Sequence, residues 1–187
     1  MSAIHIPHEL IEPETLTGRD LTQDIRFDTL GTRQTLVPSE PFGWELRGRV
    51  PGFGLVLKGE GDLPEWVLAT VERLCDLLWL NADWDSYGAS PVDRLTVELA
   101  LDLLFAIMQK TSPLPSVVPT SCGGVQLEWH TAGIDLEIEI EPAGSIDVFF
   151  CDQQTNREWE GSLGSDYSAI TDAINSLTER NARAPLE

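Results

Sequence analysis

Two carboxylates, an indole, a phenol and a hydroxyl crowd around one glycine in Asp83-Trp84-Asp85-Ser86-Tyr87-Gly88. Paired carboxylates are the material of acid–base hydrolysis, provided that their surroundings differ enough for one to keep its proton. With Glu128 and a divalent ion, Asp83 and Asp85 would suit a metal-dependent hydrolase. The same residues also suit a connection. Asp85 and Ser86 favour local turn hydrogen bonds, Gly88 admits a positive φ, and Ser90-Pro91 can open a helix. Trp84 and Tyr87 would then lie over a helix pair with their polar atoms partnered. The second reading accounts for more of the residues, so Trp84, Asp85, Tyr87 and Gly88 are expected to form a structural clasp.

Other constellations are thinner. Cys122 stands in Ser-Cys-Gly-Gly, and His130 lies eight positions further along an expected strand, too far for a nucleophile–base pair. His5-x-x-His8 is interrupted by Pro7 and lacks a third ligand. Gly-Phe-Gly at 52–54 has no strand–turn–helix context for phosphate. Three cysteines without C-x-x-C spacing suggest neither a disulfide framework nor a zinc knuckle. No catalytic set and no cofactor is implied. Carboxylates alone would suit Ca²⁺ or Mg²⁺, but those ions prefer a loop that wraps around them.

Charge says more. Thirty-one Asp and Glu face twelve Lys and Arg over 187 residues, a formal net charge of −19. Such a field repels nucleic acids and anionic membranes and attracts basic proteins. No apolar run approaches the ~20 residues of a membrane span, and the first residues lack the basic-then-apolar pattern of a leader. A cytoplasmic protein is the expectation.

The secondary structure expected to hold these residues follows from periodicity. Residues 1–40 read as a polar arm or loosely packed lead-in, and 41–187 as one α+β domain. A hairpin is expected around Pro51-Gly52, with Phe53, Leu55 and Leu57 on one face. Asp62 and Glu65 have capping-box spacing, and Val67, Val71, Leu74 and Leu78 make the stripe of a first helix. A second helix, capped by Ser90, runs from Pro91 to about Lys110, and is apolar on so many sides that it belongs at the centre. After a Pro-rich break come strands at 125–130, 134–141 and 145–150, then a helix from about Ser165 that buries Ile170, Ile174 and Leu177.

This antiparallel meander keeps its apolar residues on one face if Trp129 lies opposite Ile134, and Ile140 opposite Ile146. The other face then carries Glu128, Asp135, Glu137, Glu139, Glu141 and Asp147, with Glu128 facing Asp135 and Glu139 facing Asp147. No Lys or Arg occurs between Lys110 and Arg157. Like charges opposed on a sheet destabilise it by roughly 0.2–1 kcal/mol per pair. That cost points to a surface for a basic protein, as in an inhibitor, immunity or assembly subunit, with a nucleic-acid mimic as an alternative. The oligomeric state is not legible.

The order Trp84-Asp85-Ser86-Tyr87-Gly88-Ala89-Ser90-Pro91, apolar helix, Pro-rich break, Gly123-Gly124-Val125-Gln126-Leu127-Glu128-Trp129 resembles a family of bacterial hypothetical proteins. Its members show a W-D-x-x-G-A-x-P loop followed by a glycine pair and an L-E-W strand. The likeness spans roughly residues 74–150, and it implies a shared fold core without implying an activity.

Overall fold

The computed structural model describes residues 24–28, 35–39, 43–50 and 53–183, with side chains placed for 43–47 and 55–183. The architecture is α+β, with two antiparallel sheets and three helices among the described residues.

The first sheet contains β1 (Asp24–Asp28), β2 (Thr35–Ser39), β3 (Gly43–Val50) and β4 (Phe53–Glu60), in the order β1-β4-β3-β2. Its centre is the expected hairpin, with Val50 opposite Phe53 and Leu46 opposite Leu57. β1 and β2 fall within the polar lead-in, and the rest of residues 1–40 lies outside the described residues. Trp44 lies across Gly59, where an added Cβ would sit 2.3 Å from the indole, so only glycine fits beneath it.

The first helix, α1 (Val67–Leu77), buries Val67, Val71 and Leu74 as its stripe requires. It does not use the capping box. Asp62 bonds Lys110 Nζ at 2.6 Å, and the entry is fixed by buried Trp66, whose indole N–H donates to the Gln109 carbonyl at 3.0 Å. Likewise α2 (Arg94–Ile107) is capped by Asp93, which accepts from the Leu95 N–H at 2.7 Å, and not by Ser90. The N–H groups of Ser90 and Asp93 donate instead to the Ser121 and Gly123 carbonyls, tying Ser90–Asp93 to the neighbouring loop. At the other end the chain turns extended at Met108, short of the expected Lys110. A third helix, α3 (Ser168–Arg183), fully buries Ile170, Ile174 and Leu177.

The second sheet is a meander in chain order: β5 (Ser116–Pro119), β6 (Val125–Thr131), β7 (Ile134–Ile140), β8 (Ile146–Asp152) and β9 (Arg157–Ser162). β5 occupies the stretch expected to be a break, and β9 lies where periodicity predicts no strand. Ile140 faces Ile146 as expected, but Trp129 faces Leu136 and not Ile134. Ala132 and Gly133 both take positive φ, 54° and 74°, and close a two-residue hairpin with Thr131 opposite Ile134. The correction is a shift of two residues, which leaves every side chain on its own face.

Inward, β6, β7 and β8 present Val125, Leu127, Trp129, Leu136, Ile138, Ile140, Val148 and Phe150, all buried. Burial of each such aliphatic or aromatic side chain stabilises the fold by about 1.5–3 kcal/mol. α2 covers β6 and β7 and touches both other helices, the central place its composition demands, while α1 bridges β3 and β5. No described helix is long and apolar enough to cross a membrane.

Candidate functional site: an acidic sheet face

The outward side of the meander gathers the candidate binding residues into three rows. One runs His130–Asp135–Cys151–Glu158, the next Glu128–Glu137–Phe149–Glu160, and the third Gln126–Glu139–Asp147–Ser162. Strict alternation along β6, β7 and β8 aims these side chains away from the core. Like-charged neighbours are present, but because of the two-residue shift Glu128 opposes Glu137, not Asp135. Glu139 opposes Asp147 as expected. Glu141 lies just past β7, where it accepts from the Ser145 hydroxyl at 2.7 Å. Strand β9 adds Glu158 and Glu160, which sequence reasoning missed because Trp159 is its only large apolar residue.

Most of these acids are met by neutral donors or by one imidazole, and none by a lysine or arginine among the described residues. Glu137 accepts from the Gln126 amide at 3.1 Å, and Asp147 accepts from the Ser162 hydroxyl. Among the described residues Glu139, Glu158 and Glu160 have neither a hydrogen-bond nor an ion-pair partner. Among the described residues the one group on the face able to carry positive charge is His130. Its Nδ1 lies 2.9 Å from Asp135, and its Nε2 lies 3.8 Å from Glu128 and 4.0 Å from Glu137. The hydrogen bond to Asp135 raises the imidazole above its ordinary value of 6.5 and outweighs partial desolvation, with all three carboxylates adding attraction. Asp135 is correspondingly lowered, first by that bond and then by the Gln153 amide at 3.1 Å. Nothing in the sequence marked His130 as a counter-ion, because the pairing depends on the Ala132-Gly133 turn.

Beside this cluster the face is concave. An open hollow of about 420 Å³ is lined by Gln126, Glu137, Glu139, Asp147, Phe149 and Glu160, with neighbouring residues of β8 and β9. Half-buried Phe149 sits between Glu137 and Glu160 in the middle row. An aromatic ring ringed by carboxylates is suited to a cation on an apolar stem, since both the charge and the stem find a partner.

The Asp83–Gly88 loop is occupied with itself. Asp83 Oδ1 accepts from the Gly88 N–H at 2.8 Å, and Asp85 Oδ1 accepts from Tyr87 at 2.8 Å and Ala89 at 3.1 Å. Trp84 donates its indole N–H to the Ser90 carbonyl at 3.1 Å. Gly88 has φ 92°, and Asp83 and Ser86 also take positive φ. Tyr87 departs from expectation: it is 93% exposed and does not lie over the helices. The glycine pair completes the joint. A Cβ on Gly123 would fall 2.6 Å from the Pro91 carbonyl oxygen, so the two loops can meet only at glycine.

The structure does not bring Asp83, Asp85 and Glu128 into one centre. The two aspartates belong to the loop pinned at Ser121 and Gly123, ahead of β6, whereas Glu128 points outward from the middle of that strand. Among the described residues no group of three or more His, Cys, Asp or Glu side chains is arranged to hold a metal ion. Cys122 Sγ is 3.0 Å from Thr120 Oγ1, while His130 is engaged with carboxylates. Phe53 and Gly54 open strand β4, and His5 and His8 lie outside the described residues. Comparison with protein-family models, with curated proteins and with solved structures finds no match to this chain.

Proposed function

We propose that this protein is a non-enzymatic binding module of the cytoplasm, an inhibitor, immunity or assembly subunit that docks a basic protein on the outward face of its meander. The observation that carries this reading is the middle row, in which Glu128 opposes Glu137 and Phe149 separates Glu137 from Glu160 over a hollow of about 420 Å³. A face built only for folding would place a lysine or threonine in such a row, because opposed carboxylates repel. A partner's cations relieve that repulsion and are steered in by a net charge of −19. The partner's arginine or lysine side chains would enter the hollow over Phe149.

A low-salt pull-down from native cells tests the reading. The wild-type chain is expected to retain one stoichiometric basic protein that is released at roughly 0.3 M salt as screening sets in. Replacing Glu137, Glu139 and Glu160 together with glutamine is expected to abolish retention. Undiminished retention by that variant, with the same salt dependence, would sink the proposal.

A further inference from the structure

Glu137 belongs to two neighbourhoods at once. One carboxylate oxygen lies 4.0 Å from His130 Nε2, and the other accepts from Gln126 at the rim of the hollow. A cation settling over Phe149 and a protonated His130 are therefore like charges drawing on one carboxylate. From this sharing we infer that docking of a cationic side chain is coupled to loss of the His130 proton, so that pH regulates the acidic face. The inference rests on the docking role proposed above and adds its regulation.

The charged groups facing His130 are Glu128 on its own strand and Asp135 and Glu137 on β7. On β8 the same face offers Phe149 and Cys151, and β5 offers Ser116 and Val118, none of them cationic. At low pH the imidazolium neutralises part of the face and competes with the incoming cation. As pH rises through the raised range of His130, the competitor is removed and the face gains one full unit of negative charge. Coupling between binding and protonation is reciprocal, so a bound cation must in turn make His130 easier to deprotonate. With His130 half exposed, solvent holds the effect to roughly threefold in affinity, which equals about half a pH unit in the midpoint of His130.

A hexa-arginine peptide serves as the probe, at low salt and between about pH 6 and pH 8.5. Calorimetry of the full chain should give tighter binding with rising pH, by roughly threefold overall, with proton release visible as a dependence on buffer ionisation enthalpy. Imidazole NMR of the wild-type protein should show the His130 midpoint falling by about half a unit at saturating peptide. His130→Gln identifies that resonance among the chain's three histidines and should lose the pH slope. Binding with an unmoved His130 midpoint, or with a slope that survives His130→Gln, overturns the coupling and leaves the docking role standing. Failure of the peptide to bind at low salt at any pH overturns both.

Discussion

Asp152 and Glu139 sit on adjacent strands of one sheet and live in opposite worlds. Asp152 ends β8 almost fully buried, and every lone pair is used. It accepts from the N–H groups of Gln154 and Thr155 and from the Thr155 hydroxyl, and Arg180 of α3 grips it at 2.8 and 2.6 Å. The guanidinium, followed by the turn hydrogen bonds, holds that carboxyl well below its usual range. Glu139 faces a second carboxylate and has no partner among the described residues. Asp83 and Asp85 are likewise met by donors, the backbone N–H groups of their own loop. On the outward sheet face, by contrast, the side chains of Glu139, Glu158 and Glu160 have no partner among the described residues although Glu139 stands directly opposite Asp147, and it is this face that the docking role proposed above would use.

The largest test of the contrast is Asp152→Ala, which leaves the mostly buried Arg180 without its carboxylate and unties α3 from the β8–β9 turn. Urea unfolding should show a loss of about 3 kcal/mol. A lowered carboxyl stabilises the native state above its unfolded value of 3.8 and ceases to do so as pH falls through its native value. Acid unfolding of the wild type should therefore include an Asp152 component below pH 3.8 that the variant lacks.

Asp102 is shifted in the opposite direction. Burial, followed by the nearby Glu98 charge, pushes its carboxyl up to about 6. Its contribution is complete below 3.8 and lost as pH rises through 6, so Asp102→Asn should flatten the stability profile across that interval. At neutral pH the variant should be more stable by on the order of 1–2 kcal/mol. Asp85→Ala strips two loop N–H groups of their acceptor, and a loss of about 1 kcal/mol in thermal unfolding is expected. The smallest effect belongs to the outward sheet face. Glu139→Gln should leave stability unchanged or raise it by roughly 0.5 kcal/mol, since it removes a repulsion and breaks no bond. A substantial loss there would break the contrast.

Much of this arrangement could be read before any coordinates. Strict alternation from Ile134 to Ile140 placed four isoleucines and leucines inward and the acids outward, and α2 announced its central place by its lack of a polar side. What escaped was decided by contacts distant in sequence or by turn chemistry. β9 pairs through its backbone and carries one large apolar residue, so periodicity is silent about it. Helix starts moved to Val67 and Arg94 because Trp66 and the Ser121–Gly123 backbone hold the preceding residues, interactions that a capping pattern does not contain. The acidic face was visible as a pattern, but its hollow and the counter-ion at His130 depend on a register that Ala132 and Gly133 set. Alternation fixes which face a residue joins and says nothing about which neighbour it meets there.

The register of β7 has one more consequence. Ile134–Ile140 is a run of alternating branched aliphatics, the kind of segment that stacks readily into fibrils when many copies meet. In such a stack identical residues repeat every ~4.8 Å, so Asp135, Glu137 and Glu139 would each form an unbroken column of like charge along the fibre. The carboxylates proposed to dock a partner on the folded surface thus also guard the unfolded chain, and they do so only while ionised. Acidification disarms that guard at the same time as it weakens the native state through Asp152, which makes acid the condition under which this protein is most exposed to irreversible assembly.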